Sequence, residues 1–142
     1  MNNAVETIAQ FFQTLSPQRV EQLAAIYADD ASFRDPFNQV RGLSEIQRIF
    51  RHMYVNLVSP RFIITDRIVD GQKCFLTWEF RFSFRRFQPA VEHCVLGGSH
   101  LLLDQQGRIT MHCDYWDAAE GLYEKLPVVG VLMRWLKRRT ST

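Results

Sequence analysis

Apolar residues fall at helical spacing through the first third of the chain and then switch to alternation, so the period itself divides the sequence. In AVETIAQFFQTL (4–15), Val5, Ile8, Phe11, Phe12 and Leu15 recur every three or four positions, which predicts an amphipathic helix. Ser16-Pro17 ends it and starts another, with Ser as N-cap and Pro as first helical residue. That second helix, over 17–28, presents Val20, Leu23, Ala24 and Tyr27. A short strand at 31–34 is broken by Asp35-Pro36. A third helix begins near Ser44, with Ile46, Ile49, Phe50, Met53 and Leu57 as its apolar stripe and Pro60 closing it.

Strands follow. RFIITDRIV (61–69) ends at the turn signal Asp70-Gly71. KCFLTWEFRFSFRR (73–86) alternates without a break: Leu76, Trp78, Phe80, Phe82 and Phe84 on one face, Thr77, Glu79, Arg81, Ser83 and Arg85 on the other. Two further strands, 91–103 and 108–117, are joined by the DQQG turn, and Gly97-Gly98 suggests a bulge or a sharp bend. If that turn pairs Leu103 with Arg108, then Ser99 lies opposite His112 and Gly97 opposite Asp114. In MHCDYWD (111–117), His112, Asp114 and Trp116 share one strand face, an unusual set for a plain core. Helices first and a curled antiparallel sheet after them make an α+β pattern, in which the helices must cover the apolar sheet face.

Composition narrows the classes. The 142 residues suit one domain with one core, and 46% hydrophobic with 23% charged residues is ordinary for a globular protein. Aromatics reach 13%, with eleven Phe, enough for a bulky core or an aromatic-lined cavity. A net charge of +2 gives no case for nucleic acid. No apolar run reaches the length of a membrane span and the N-terminus has no signal-peptide pattern, so a cytoplasmic location is the expectation. Cys74, Cys94 and Cys113 form no CxxC and read as reduced, buried thiols. No tetrahedral ligand set emerges, so neither metal nor cofactor is expected.

The string YADDASFRDPF and the order of elements resemble the nuclear transport factor 2-like superfamily, and within it the SnoaL-like and ketosteroid-isomerase-like branch. The resemblance implies a cystatin-like cone: three N-terminal helices on a strongly curved antiparallel sheet, with an apolar pocket inside. The whole chain, 1–142, would be one SnoaL-like domain with 118–139 a C-terminal helical extension. The isomerase's general base falls on Asp35, while its two oxyanion donors fall on Phe11 and Ser99. Phe cannot donate and Ser donates weakly, so ketosteroid isomerase activity itself is not expected. In SnoaL-like cyclases the proton-transferring carboxylate and its His come from the final strands, which matches His112 and Asp114.

Together with the strand pattern, the resemblance implies Asp35, His112 and Asp114 as the catalytic set and Phe11, Trp78, Phe80, Phe82, Ser99 and Trp116 as the ligand contacts. Asp35 equally suits a turn cap, and His112 with Asp114 a self-satisfied buried pair. The functional expectation is acid–base chemistry on a small hydrophobic molecule, of isomerase, cyclase, dehydratase or hydrolase type. The alternative is a non-catalytic carrier or sensor of a hydrophobic ligand. The outer sheet face (Glu79, Arg81, His100) is expected to form a homodimer. The tail breaks at Pro127 into a second helix with almost no polar face, expected to lie over the cone's mouth, against a partner or weakly on a membrane surface through 127–139.

Overall fold

A computed structural model of the protein describes residues 2–116. The expected helix at 118–139, and with it the lid and membrane readings, lies outside the described residues. Helix α1 (Asn2–Gln13) and helix α2 (Leu43–Asn56) agree with the apolar stripes to within two residues. Between them the chain departs from expectation. In place of an α-helix over 17–28 there is a 3-10 helix, Arg19–Ala25, and strand β1 starts directly after it at Tyr27 and runs to Arg34. The reason is the spacing of the buried residues: Val20, Leu23 and Ile26 are each three apart and almost wholly buried. A helix of three residues per turn stacks them on one line; one of 3.6 does not.

Among the described residues six strands form one sheet in the order β2-β1-β6-β5-β4-β3. The others are β2 (Gln39–Arg41), β3 (Leu57–Asp70), β4 (Lys73–Phe84), β5 (His93–Leu103) and β6 (Ile109–Trp116). β1 pairs parallel to β6, and every other pair is antiparallel. β3 begins at Leu57, earlier than expected, and Pro60 lies within it. The strand is at the sheet edge, and its register shifts between Val58 and Arg61, where Ser59 takes a φ of 50°. An edge bulge is where a strand tolerates a residue without an N–H.

The alternation in β4 is realised in full: every even residue from Cys74 to Phe84 is buried, and every odd one is more exposed. This face packs under α1 and α2, where Val5, Ile8, Phe12, Ile46 and Phe50 complete the core. Burying each such side chain contributes about 1.5–3 kcal/mol relative to exposure.

Two expectations at β5 are corrected. Leu103 pairs with Ile109, and after a register shift Leu102 pairs with Met111, so Ser99 faces Asp114 and Gly97 faces Trp116. The Asp104 side chain closes the connecting loop by accepting from the Gln106 and Arg108 amides, which moves pairing one residue on, and the shift adds another. A slip of two residues preserves which face each side chain occupies. Nor do Gly97 and Gly98 form a bulge, since the β4–β5 register passes through them unbroken. They allow close approach: a Cβ on Gly97 would lie 2.4 Å from the Trp78 ring, and one on Gly98 2.5 Å from the Phe75 ring.

Candidate functional site

A mostly apolar cavity of about 100 Å³ lies between α2 and the inner sheet face. Phe33, Phe50, Phe62, Phe80, Phe82 and Trp116 give it an aromatic wall, and Asp35, Asn38 and Asp114 bring polar side chains into it. A second void of about 20 Å³ shares Phe50, Phe62 and Asp114 and also touches Trp78, Ser99 and His112. That is room for one water molecule. Asp114 therefore stands between the two spaces.

The polar residues form a continuous chain across the core. Trp78 Nε1 donates to Ser99 Oγ at 2.9 Å, and Ser99 Oγ lies 2.5 Å from Asp114 Oδ1. An indole N–H can only donate, so Ser99 accepts from Trp78 and sends its own proton to Asp114. From the other side, His112 Nε2 lies 2.6 Å from the same Oδ1, and the Tyr27 hydroxyl lies 2.6 Å from His112 Nδ1. One assignment of protons satisfies every link: Tyr27 donates to Nδ1, and Nε2–H donates to Asp114. Both arms thus converge as donors on a single carboxylate oxygen. Among the described residues no donor reaches Oδ2.

The imidazole is held by rings on three sides. Phe33 is 4.7 Å away, Phe12 packs edge-on at 5.8 Å, and Tyr27 stacks nearly parallel at 5.9 Å. His112 is only 3% exposed and Tyr27 is fully buried. Burial lifts the Tyr27 phenol well above its ordinary 10, and the Asp114 charge adds to the rise. Tyr27 therefore serves as a hydrogen-bond donor, not as a base or nucleophile.

Asp35 sits at the turn from β1 to β2. Its Oδ1 accepts from the Phe37 amide at 2.8 Å and the Asn38 amide at 2.6 Å, and the Asn38 Nδ2 lies 3.0 Å from each carboxylate oxygen. Asp-Pro thus builds an Asx turn and presents the carboxyl to the cavity at once. Burial raises the Asp35 carboxyl above its ordinary 3.8, opposed by the hydrogen bonds from Asn38 and Phe37, and Asp114 pushes it further up. With its Nδ2 on Asp35, the buried Asn38 leaves Oδ1 without a partner among the described residues, and the same holds for Trp116 Nε1.

Of the residues expected from sequence, Asp35, Asp114, Phe80, Phe82 and Trp116 line the larger cavity, and Trp78, Ser99 and His112 line the smaller. Phe11 lines neither. Its ring lies under the Arg19 guanidinium, 4.3 Å away, in a surface recess. The next residue, Phe12, turned about 100° around the helix, is the one that meets His112. Sequence reasoning missed Tyr27 and Asn38. The first was read as helical, and its partner His112 lies 85 positions away. The second could have been found in DPFN, since an Asx turn at Asp35 engages Phe37 two residues on and brings the next residue, Asn38, back to the same carboxylate. Among the described residues no group of three or more His, Cys, Asp or Glu is placed to hold a metal ion, and no helix is long and apolar enough to cross a membrane.

A family model described as the SnoaL-like domain matches residues 8–112, most of the chain. The chain belongs to that family. No curated protein matches the sequence significantly. Solved structures agree with this SnoaL-like domain in fold. A hypothetical protein of ketosteroid isomerase-like fold from Catenulispora acidiphila, in complex with trimethylamine, has a TM-score of 0.74 at 16% identity, covering 89% of this chain and 95% of its own. A protein named as a SnoaL-like polyketide cyclase from Shewanella putrefaciens has a TM-score of 0.72 at 17% identity, covering 87% and 96%. An LEH-like epoxide hydrolase from M. tuberculosis has a TM-score of 0.67 at 20% identity, covering 92% and 94%. At such identities the likeness concerns the fold alone.

Proposed function

We propose that the SnoaL-like domain catalyses proton transfer on a small, largely apolar molecule held in the aromatic cavity, with Asp114 as the base. The observation that carries this reading is the one-sided bonding of Asp114, which lines the cavity: two donors converge on Oδ1, while among the described residues none reaches Oδ2. Such bonding orients a carboxylate and keeps one oxygen for a substrate proton. Ser99 and His112 position it, and Trp78 and Tyr27 fix the direction of their bonds. Asp35, in the same cavity with a raised pKa, is the second proton-carrying group. Neighbours named as a cyclase and an epoxide hydrolase agree with reaction types this fold accommodates.

One observation favours the carrier reading. Both oxygens of Asp35 are already engaged by Asn38 and the turn, which is also what a structural cap does. Native mass spectrometry of the freshly purified protein separates the two. The retained molecule is released, identified and returned to catalytic amounts of protein while its NMR spectrum is followed. Chemical change over many turnovers supports the enzyme. Retention with no change supports the carrier and overturns the proton-transfer reading. Leu96 and Tyr115, both exposed on the outer sheet face, and Ile63 beside Glu79 support a homodimer across that face. Light scattering that finds only monomer at high concentration would remove it.

A further inference from the structure

The larger cavity contains an imbalance of charge. Two carboxyl groups, Asp35 and Asp114, line it, and no lysine, arginine or histidine does so among the described residues. A carboxylate withdrawn from water into an apolar space is costly unless a positive group or several donors meet it. Ser99 and His112 supply donors to Asp114 Oδ1 only, and the Asp35 oxygens are met by neutral amides. Among the described residues no side chain of the wall supplies the positive charge.

A second, independent observation concerns Asn38. Asn38 is 5% exposed and lines the cavity, its Nδ2 is spent on Asp35, and its Oδ1 has no partner among the described residues. A buried acceptor left unmet in a site calls for a donor from whatever fills that site. The wall around these acceptors is built from five phenylalanines and one tryptophan, whose ring faces are electron-rich. Aromatic rings around a carboxylate are the arrangement that recognises substituted ammonium ions.

We propose that this cavity takes a small organic cation, a protonated or quaternary alkylamine, with its charge against Asp114 and Asp35 and its methyl or methylene groups against the aromatic wall. An N–H on that cation would serve Asn38 Oδ1. Trp116 Nε1, an unpartnered donor, would serve a hydroxyl or carbonyl on the same molecule. The volume sets the scale. A cavity of about 150 Å³ holds benzene, so one of about 100 Å³ holds an ammonium with three or four small substituents and no fused ring system.

The inference rests on the reading of this cavity as the substrate site but does not depend on any proton being moved. The test uses the full chain and two probes that each carry three methyl groups on a tetrahedral centre: trimethylammonium, charged, and tert-butanol, neutral. Chemical-shift titration of the wild-type protein should show trimethylammonium binding more tightly than tert-butanol by about tenfold or more. Asp114→Asn should remove most of that preference, as should Trp116→Leu, while tert-butanol binding changes little in the first. Equal or tighter binding of tert-butanol to the wild type overturns the inference, and that comparison needs no variant to fold. Unchanged trimethylammonium affinity in folded Asp114→Asn overturns it as well. Because both readouts are affinities, a protein that prefers the neutral probe yet loses turnover in Asp114→Asn would keep the proton-transfer reading and lose only this one.

Discussion

Gly97→Ala is the substitution whose cost the geometry defines most sharply. The new Cβ would lie 2.4, 2.8 and 2.9 Å from Cη2, Cζ3 and Cζ2 of Trp78, all atoms of the indole's six-membered ring. Carbon atoms in contact settle at about 3.5–4.0 Å, so something must move by about an ångström. The indole is poorly free to move. It is 3% exposed, packs edge-on to Phe62 and Trp116 at 5.6 and 6.2 Å, and is tethered through Nε1 to Ser99. Overpacking of this kind costs about 1–3 kcal/mol. If the ring swings aside instead, the lost Nε1 bond adds about 1 kcal/mol. In Trp78→Phe the clashing ring is withdrawn, so Gly97→Ala should cost little in that background. A double-mutant cycle by urea unfolding, followed by circular dichroism, should give a coupling of about 1–2 kcal/mol. Loss below about 0.5 kcal/mol for Gly97→Ala alone, or strict additivity with Trp78→Phe, would refute the packing argument.

Other expectations follow from the same structure. Tyr27→Phe leaves His112 Nδ1 buried without its donor and should cost about 1–3 kcal/mol; ¹⁵N chemical shifts of the imidazole should show the Nε2–H tautomer losing population, and unchanged shifts would contradict the assigned direction of the chain. Asp35→Asn keeps an oxygen for both backbone amides and removes the titration. Because the folded pKa of Asp35 is raised, its contribution favours the native state most in acid and is lost as pH rises through that value. The stability of Asp35→Asn relative to wild type should therefore climb above about pH 4 and then level off; parallel curves would show that Asp35 does not titrate as described. Cys74, 4% exposed and pushed up to about 11 by burial, should resist a thiol reagent at pH 8 until the protein unfolds, while the half-buried Cys94 and Cys113 react first. Equal rates for all three would contradict its burial.

What the sequence disclosed depended on how local the cause was. The β4 strand was legible because its alternation is a property of adjacent residues. The common face of His112, Asp114 and Trp116 was legible for the same reason, and it survived an incorrect register because the error was an even number of residues. Local reasoning failed where phase or distance decided. Phe11 and Phe12 are chemically identical, and only the packing of α1 selects which one meets the imidazole. Val20, Leu23 and Ile26 fit a 3-10 spacing, but a three-residue step is also half of a helical stripe. The Tyr27–His112 bond joins β1 to β6 through a parallel pairing that no turn signal announces. That last link is what closes the polar chain from Trp78 to Tyr27, and it was visible only in three dimensions.

The role proposed for Asp114 is to move a proton for the molecule in the cavity. Single-turnover rates on the released and identified molecule, compared between wild type and Asp114→Asn, test it most directly. The side chains match in shape, Ser99 can still donate to the remaining oxygen, and circular dichroism confirms the fold. A fall of about 10²–10⁴-fold is expected in Asp114→Asn, the range a positioned general base contributes. A rate within about threefold of wild type, with the variant folded and the molecule bound, would contradict it.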